Sequence, residues 1–388
     1  METRKLYYED CHLTRFTARV VRCAQTPKGY EILLDATAFY PEGGGQACDL
    51  GYLGTCRVLD VRESGEEVLH LCDGPLEPGT EVEGVIDYNR RFDLMQQHTG
   101  EHIVSGIIHR RFGWHNVGFH MGADVVTIDF DGPIPPEALA EVEQEANEAV
   151  WQNLPIRCWY PSPQELPQVG YRSKRPLPWP VRVVEVPGYD KCACCGVHVA
   201  QTGEAGPIKL FSCVKFHQGV RIEMACGKRA LDILSRAYEQ NRQVSQAFSA
   251  KPMETGEAAR RMNELLAAEK FRASQAMKQV FRLIAQGCAG RQNVLHFQED
   301  LTPGQVRELA DAIARNVPGW AAVCSGADGR GYSVCILSGS QDVRPLGTVM
   351  NKALQGRGGG KPGAFQGSVH ATQDQIRAFF AAQTGTEA

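Results

Sequence analysis

The chain has 388 residues, 43% hydrophobic and 22% charged, with a formal net charge of −4, values ordinary for a folded globular protein. That length exceeds what one hydrophobic core supports, so two or three domains are expected. The charge argues against a generic polyanion binder while leaving room for a local basic groove. No apolar run reaches the length of about 18 residues that a membrane span needs, and the first ten residues lack the charged-then-apolar layout of an export signal. The 14 cysteines are scattered from Cys11 to Cys335, with one cluster at Cys192, Cys194 and Cys195. A cytoplasmic setting with free thiols is therefore expected.

Residues 1–88 read as a strand-rich domain. Thr17-Ala-Arg-Val-Val-Arg-Cys and Tyr30-Glu-Ile-Leu-Leu-Asp are strands around a Thr26-Pro-Lys-Gly turn. Further short strands, Val58–Arg62, Glu67–Leu71 and Glu81–Ile86, follow at regular spacing. This pattern predicts a small barrel or sandwich. Inside it lies Thr37-Ala-Phe-Tyr-Pro-Glu-Gly-Gly-Gly-Gln46. Three glycines in a row do not suit a strand interior, but they let a backbone or a ligand approach closely.

Residues 89–240 read as a mixed α/β domain. The apolar spacing of Phe92, Leu94, Met95, Ile103, Val104, Ile107 and Ile108 predicts a helix. Asp124–Phe130 alternates as a strand, Pro135–Leu154 carries the signals of a helix, and Gly219–Gly227 reads as another strand. Arg172, Lys174 and Arg175 in a proline-rich loop are either solvated charges or phosphate contacts. Residues 241–289 form a helical linker. One helix ends near Ala247, Lys251-Pro-Met-Glu breaks the pattern, and a longer helix runs over Glu257–Ala285 as half of an antiparallel hairpin or as a dimerisation element. Residues 290–388 form a last α/β domain. Its glycine-rich segment, Gly356-Arg-Gly-Gly-Gly-Lys-Pro-Gly, is expected to be a turn offering backbone N–H groups together with Arg357 and Lys361 to phosphates. The fold class expected for the whole is α+β.

Two short pieces carry the chemistry. His98-Thr-Gly-Glu-His102 places two imidazoles four residues apart, on one helix face. Cys194-Cys-Gly-Val-His198 supplies a thiol and a third imidazole at the same spacing. Taken singly, each pair also suits helix-surface histidines or a buried thiol. Together His98, His102, Cys194 and His198 make a set of nitrogen and sulfur donors of the kind zinc takes in tetrahedral sites. Glu101, between the two histidines, is expected to point away from their shared face.

In order and wording these motifs resemble the editing domain of alanyl-tRNA synthetases and its free-standing AlaX relatives. The segment from Gly358 resembles the DHHA1-type C-terminal domain of those synthetases. Because the likeness begins near residue 1, it implies a long, free-standing AlaX-type protein. Such a protein hydrolyses the ester of mischarged tRNA-Ala, carrying serine and perhaps glycine, around one zinc ion. By position the resemblance makes His98, His102, Cys194 and His198 the zinc ligands. It links Thr37 to discrimination against the alanyl ester and puts Gln46 beside the pocket. Ala47 stands where the family usually has proline, and Cys195 and Val197 depart from its usual Cys-Gly-Gly-Thr-His. Two other readings fit the same residues: a non-catalytic tRNA-binding protein with a structural zinc, and an editing deacylase for another aminoacyl-tRNA.

Overall fold

The computed structural model describes residues 2–173 and 177–384. The chain is mixed α and β, rich in sheet toward its N-terminus, and divides into two compact units, Met1–Gln243 and Val244–Ala388. No helix among the described residues is long and apolar enough to cross a membrane.

The first unit opens with the short strand β1 (Arg4–Lys5), which pairs in parallel with β4 (Ala36–Thr37). Strands β2 (Arg15–Thr26), β3 (Gly29–Leu34), β5 (Gly51–Leu53), β6 (Cys56–Ser64), β7 (Glu67–Cys72) and β8 (Glu81–Ile86) hydrogen-bond in the closed order β2-β3-β7-β6-β5-β8. Alternation along them sends Phe16, Ala18, Val20, Ile32, Leu34, Val58, Val61 and Val68 inward to a continuous apolar core, as the two-residue repeat of a strand requires.

Helix α1 (Tyr88–Phe112) follows at once. The Asp87 side chain accepts from Arg90 N at its start, and the Gly113 N–H closes onto His109 O at its end, satisfying backbone groups that a helix otherwise leaves free. The stretch from Leu94 to Ile108 is buried on every side, so α1 is the axis of the unit rather than a surface helix. Around it stand β9 (Asn116–Met121), β10 (Val126–Phe130), α2 (Pro136–Gln152), β11 (Arg157–Trp159), the single turn α3 (Leu166–Val169), β12 (Val183–Val186), β13 (Asp190–Ala193), β14 (Ile208–Phe216) and β15 (Gly219–Cys226). They form a four-stranded sheet, β14-β15-β10-β9, and a three-stranded one, β11-β12-β13.

A buried ion pair ties the loop after β4 to α1. The Arg91 guanidinium, 1% exposed, pairs with Asp49 and donates to the carbonyls of Ala38 (2.5 Å) and Cys11 (3.1 Å). Burying a charge this deeply is costly unless its donors are all used. Here they are spent fixing the Gly-Gly-Gly-Gln segment against the helix that carries His98 and His102.

Helix α4 (Gly227–Ala247) leads out of the first unit, and α5 (Thr255–Gly287) begins after the break at Lys251-Pro252. The second unit continues with β16 (Val294–Phe297), α6 (Pro303–Ala314), β17 (Trp320–Ala327), β18 (Gly331–Ser338), α7 (Arg344–Ala353), β19 (Arg357–Lys361), β20 (Ala364–Val369) and α8 (Gln373–Thr384). Its sheet has the order β16-β17-β18-β20-β19. The glycine-rich segment is therefore an edge strand paired with β20 and not an open turn. A Cβ at Gly360 would stand 1.9 Å from Ala364 O, so glycine permits the close pairing. The chain reverses at Pro362-Gly363 instead. Arg357 and Lys361 are exposed on β19, four residues apart and so on one face of the strand.

Candidate metal centre

His98 and His102 lie one turn apart on α1, with ring centroids 5.3 Å apart. Cys194 and His198 come from the loop after β13, and His198 closes the group at centroid distances of 4.5 Å and 4.6 Å from the other two rings. The four donor atoms all lie within 4.8 Å of one another. Two short pieces, nearly a hundred residues apart, are thus brought to one point.

The loop is held in shape from both sides. Arg182 Nη1 donates to the carbonyls of Cys194 (2.9 Å) and Gly196 (2.8 Å), while its guanidinium lies 4.4 Å from the centre of the Tyr8 ring. Tyr8 Oη donates to Cys195 O. A Cβ on Gly196 would fall 2.1 Å from His98 Cε1, so only glycine lets the loop pass over the ring.

Each imidazole has one outward partner. Gln46 Oε1 takes the Nδ1–H of His98 (2.9 Å) and the Val197 N–H (3.2 Å). Asp190 Oδ2 takes the Nδ1–H of His102 (3.0 Å). Thr99 Oγ1 lies 3.3 Å from His198 Nδ1 and accepts from Val199 N. An acceptor at Nδ1 fixes the proton there and leaves the Nε2 lone pair facing inward. Among the described residues, His198 Nε2 is buried with no hydrogen-bond partner, a state that a bound cation relieves. Burial pushes the His198 imidazole down to about 3, so the ring is neutral, as a metal ligand must be. Burial opposes ionisation of Cys194, but the surrounding histidines outweigh it and bring the thiol well below its ordinary value. The donor set, its tautomers and its charge all fit a metal ion.

Other sequence expectations resolve differently. Gln46 meets the cluster as a support for His98, not as a group open to a substrate. Thr37 is fully buried on β4, where its Oγ1 pairs with His70 Nε2 (2.8 Å) and accepts from Phe39 N. The hydroxyl is used inside the barrel, and Thr37 does not line the cleft above the metal cluster. Arg172 is not a solvated loop cation: its Nε and Nη2 grip Asp190 at 2.7 Å and 2.9 Å. Burial works against the Asp190 carboxylate, but His102 and Arg172 together hold it below the usual range. Lys174 and Arg175 lie outside the described residues.

Glu101 also departs from expectation. It stands three residues after His98, about 60° round the helix, and it lines the same cleft as His98, His102 and Cys194. The cleft has a volume of about 1050 Å³ and is walled by Tyr8, Phe119, Tyr160 and Val181, with Lys5 and Arg182 among its cations. Asp190 and Thr99 had no sequence signal of their own, because their role depends on a fold that places them behind ligands from other segments.

Residues 2–90 match the family model for class II tRNA synthetases (A), and residues 181–223 match that for the threonyl and alanyl tRNA synthetase second additional domain. The chain is 31% identical to an alanine–tRNA ligase of Thermofilum pendens, over 96% of this chain and 43% of that protein. It therefore spans less than half of that relative's length. It is 28% identical to the alanyl-tRNA editing protein Aarsd1-A of Xenopus laevis, over 93% of this chain and 92% of that one. To the alanyl-tRNA editing protein Aarsd1 of Mus musculus it is 27% identical, over 94% and 93%.

Proposed function

We propose that the chain is a member of the AlaX-type alanyl-tRNA editing family, on its likeness to the alanyl-tRNA editing proteins over more than nine-tenths of both chains, and that it hydrolyses the aminoacyl ester of mischarged tRNA-Ala, seryl first and glycyl second. The observation that carries this reading is the cluster of His98, His102, Cys194 and His198, three of whose members, His98, His102 and Cys194, line a cleft of about 1050 Å³. We assign the ion as zinc, because a donor set of three imidazoles and one thiolate suits it. A bound zinc would supply Lewis acidity at the ester.

The chain's own residues supply the rest. Gln46, Asp190 and Thr99 keep the three imidazoles aimed inward. Tyr8, Phe119 and Tyr160 offer aromatic faces to an unstacked 3′ nucleoside, the form in which single-stranded RNA ends are taken. Arg357 and Lys361, presented together on the exposed edge strand β19, suit phosphates of the tRNA body. On the same reading the chain divides as 1–88, 89–240, 241–289 and 290–388, the last part being DHHA1-like and the helices between serving as a homodimer contact.

The test is release of radiolabelled serine from Ser-tRNA-Ala by the wild type and by Cys194→Ala, beside Ala-tRNA-Ala and Thr-tRNA-Thr. Serine release alone, lost with the metal in the variant, supports the proposal. A zinc-loaded, folded wild type that releases nothing overturns it in favour of a tRNA-binding protein with a structural zinc, a reading that a site of four protein ligands also accommodates.

A further inference from the structure

Glu101 is a carboxylate set into the wall of the cleft beside the metal cluster. The residue is 5% exposed. Its Oε1 accepts from Ser105 Oγ and from Asn116 Nδ2 (2.5 Å), donors on its own helix and on β9. Those two contacts fix the side chain and turn Oε2 toward the cluster, 3.9 Å from His102 Nε2. Oε2 accepts no hydrogen bond among the described residues, and Glu101 lines the cleft, so a donor on a bound substrate can meet this oxygen.

The other carboxylates lining the cleft are Glu63 and Asp131. Glu63 is paired with Lys5. Asp131 is exposed and accepts from the His115 N–H. Arg172 also lines the cleft, and its guanidinium is committed to Asp190. Among the described residues, Glu101 is thus the cleft carboxylate held at the metal cluster with an oxygen that accepts no hydrogen bond.

On the reading of the site given above, we propose that Glu101 binds the α-ammonium group of the aminoacyl ester, so that the cleft selects esters of free amino acids against N-acylated ones. The distances suit this. In any aminoacyl ester the ammonium nitrogen is two bonds from the carbonyl carbon, roughly 2.5 Å away. His98, His102, Cys194 and His198 would hold the metal ion that polarises the ester. Glu101 Oε2 lies 3.9 Å from His102 Nε2 and lines the same cleft, so an ester presented to that cluster has its ammonium within reach of the wall that Glu101 forms. A charge-assisted hydrogen bond is among the stronger polar contacts available. Peptidyl or N-formylated esters have no such charge and present an amide to the same oxygen.

The experiment pairs a change in the protein with a change in the substrate: hydrolysis of Ser-tRNA-Ala and of N-acetyl-Ser-tRNA-Ala by wild type and by Glu101→Gln, with metal content and thermal melting checked for both. Glutamine keeps the shape and can still accept at the oxygen facing Ser105. The wild type is expected to cleave the acetylated ester about 10- to 100-fold less efficiently in kcat/KM, the range of one hydrogen bond to a charged group. In Glu101→Gln that ratio should fall toward the value set by the bulk of the acetyl group alone. An unchanged ratio, including one in which both substrates slow equally because Glu101 acts on water, overturns the proposal. A wild type inert on both esters removes the editing reading, and the proposal with it. Independently of any variant, the seryl amide of 3′-amino-3′-deoxyadenosine should compete with substrate at least about tenfold better than its N-acetyl form. Equal competition overturns the proposal even if Glu101→Gln fails to fold.

Discussion

Asp190→Asn isolates the hydrogen bond behind one metal ligand. In the wild type Asp190 Oδ2 accepts from His102 Nδ1 at 3.0 Å, and both carboxylate oxygens take the fork of Arg172 at 2.7 Å and 2.9 Å. Every contact runs into an acceptor, and asparagine has only one. If its oxygen faces His102, its amide N–H groups face the N–H groups of Arg172. If it flips, an N–H faces His102 Nδ1, and the imidazole proton moves to Nε2, where it blocks the metal. Either arrangement weakens the site. Loss of an outer partner of this kind typically lowers metal affinity about 10- to 100-fold, equivalent to about 1.4–2.8 kcal/mol. Folding also suffers, because the Arg172 side chain, 16% exposed, loses its counter-charge, and breaking a buried pair costs up to about 3–5 kcal/mol. The assay is zinc competition against a chromophoric chelator on metal-free wild type and variant, with thermal melting in excess zinc to separate binding from folding. Zinc affinity of the folded variant within about twofold of wild type would refute the argument that Asp190 sets the His102 tautomer.

Three further outcomes follow from the geometry. Thr37→Val should lower stability by about 1–3 kcal/mol by stranding His70 Nε2, with the ratio of seryl to alanyl hydrolysis unchanged; denaturant unfolding beside deacylation assays reads both. Burial holds the fully buried His70 at about 4 against its ordinary 6.5, so the unfolded chain binds the extra proton between those values. His70 thus contributes stability fully present above pH 6.5 and lost as pH falls toward 4, about 3 kcal/mol in all at about 1.36 kcal/mol per pH unit. Urea unfolding at both pH limits should show a smaller acid loss in His70→Gln, and an equal loss would contradict this. Gly196→Ala should displace the loop from His98, since its Cβ would lie 2.1 Å from the ring, and should abolish stoichiometric zinc binding; retention of one zinc per chain would show that the loop yields.

What the sequence made legible was the part whose signal is local. The helix carrying His98 and His102 announces itself by apolar spacing, and the two four-residue ligand pairs are visible because a helix turn and a short loop both bring residues at that spacing together. The barrel strands show through their alternation and turns. What stayed hidden depends on long-range placement. Gln46 and Asp190 do the same job for two histidines from opposite sides, yet one comes from a glycine-rich loop held by Arg91–Asp49 and the other from a strand edge. Neither segment has a pattern that names its partner. Thr37 is hidden for a related reason: the resemblance links it to discrimination of the ester, and nothing local to the sequence shows that the short pairing of β1 with β4 carries it inward to His70. For Arg172, counting loop charges could not anticipate Asp190, a carboxylate eighteen residues later that faces it across the fold. Glu101 is the reverse case. Its place between the two histidines reads as pointing away from their shared face, whereas the fold brings it into the same cleft, where two donors fix one oxygen and leave the other toward the cluster. The chemistry of this site therefore rests less on the four donors, which any reader of the sequence can find, than on the acceptors behind and beside them.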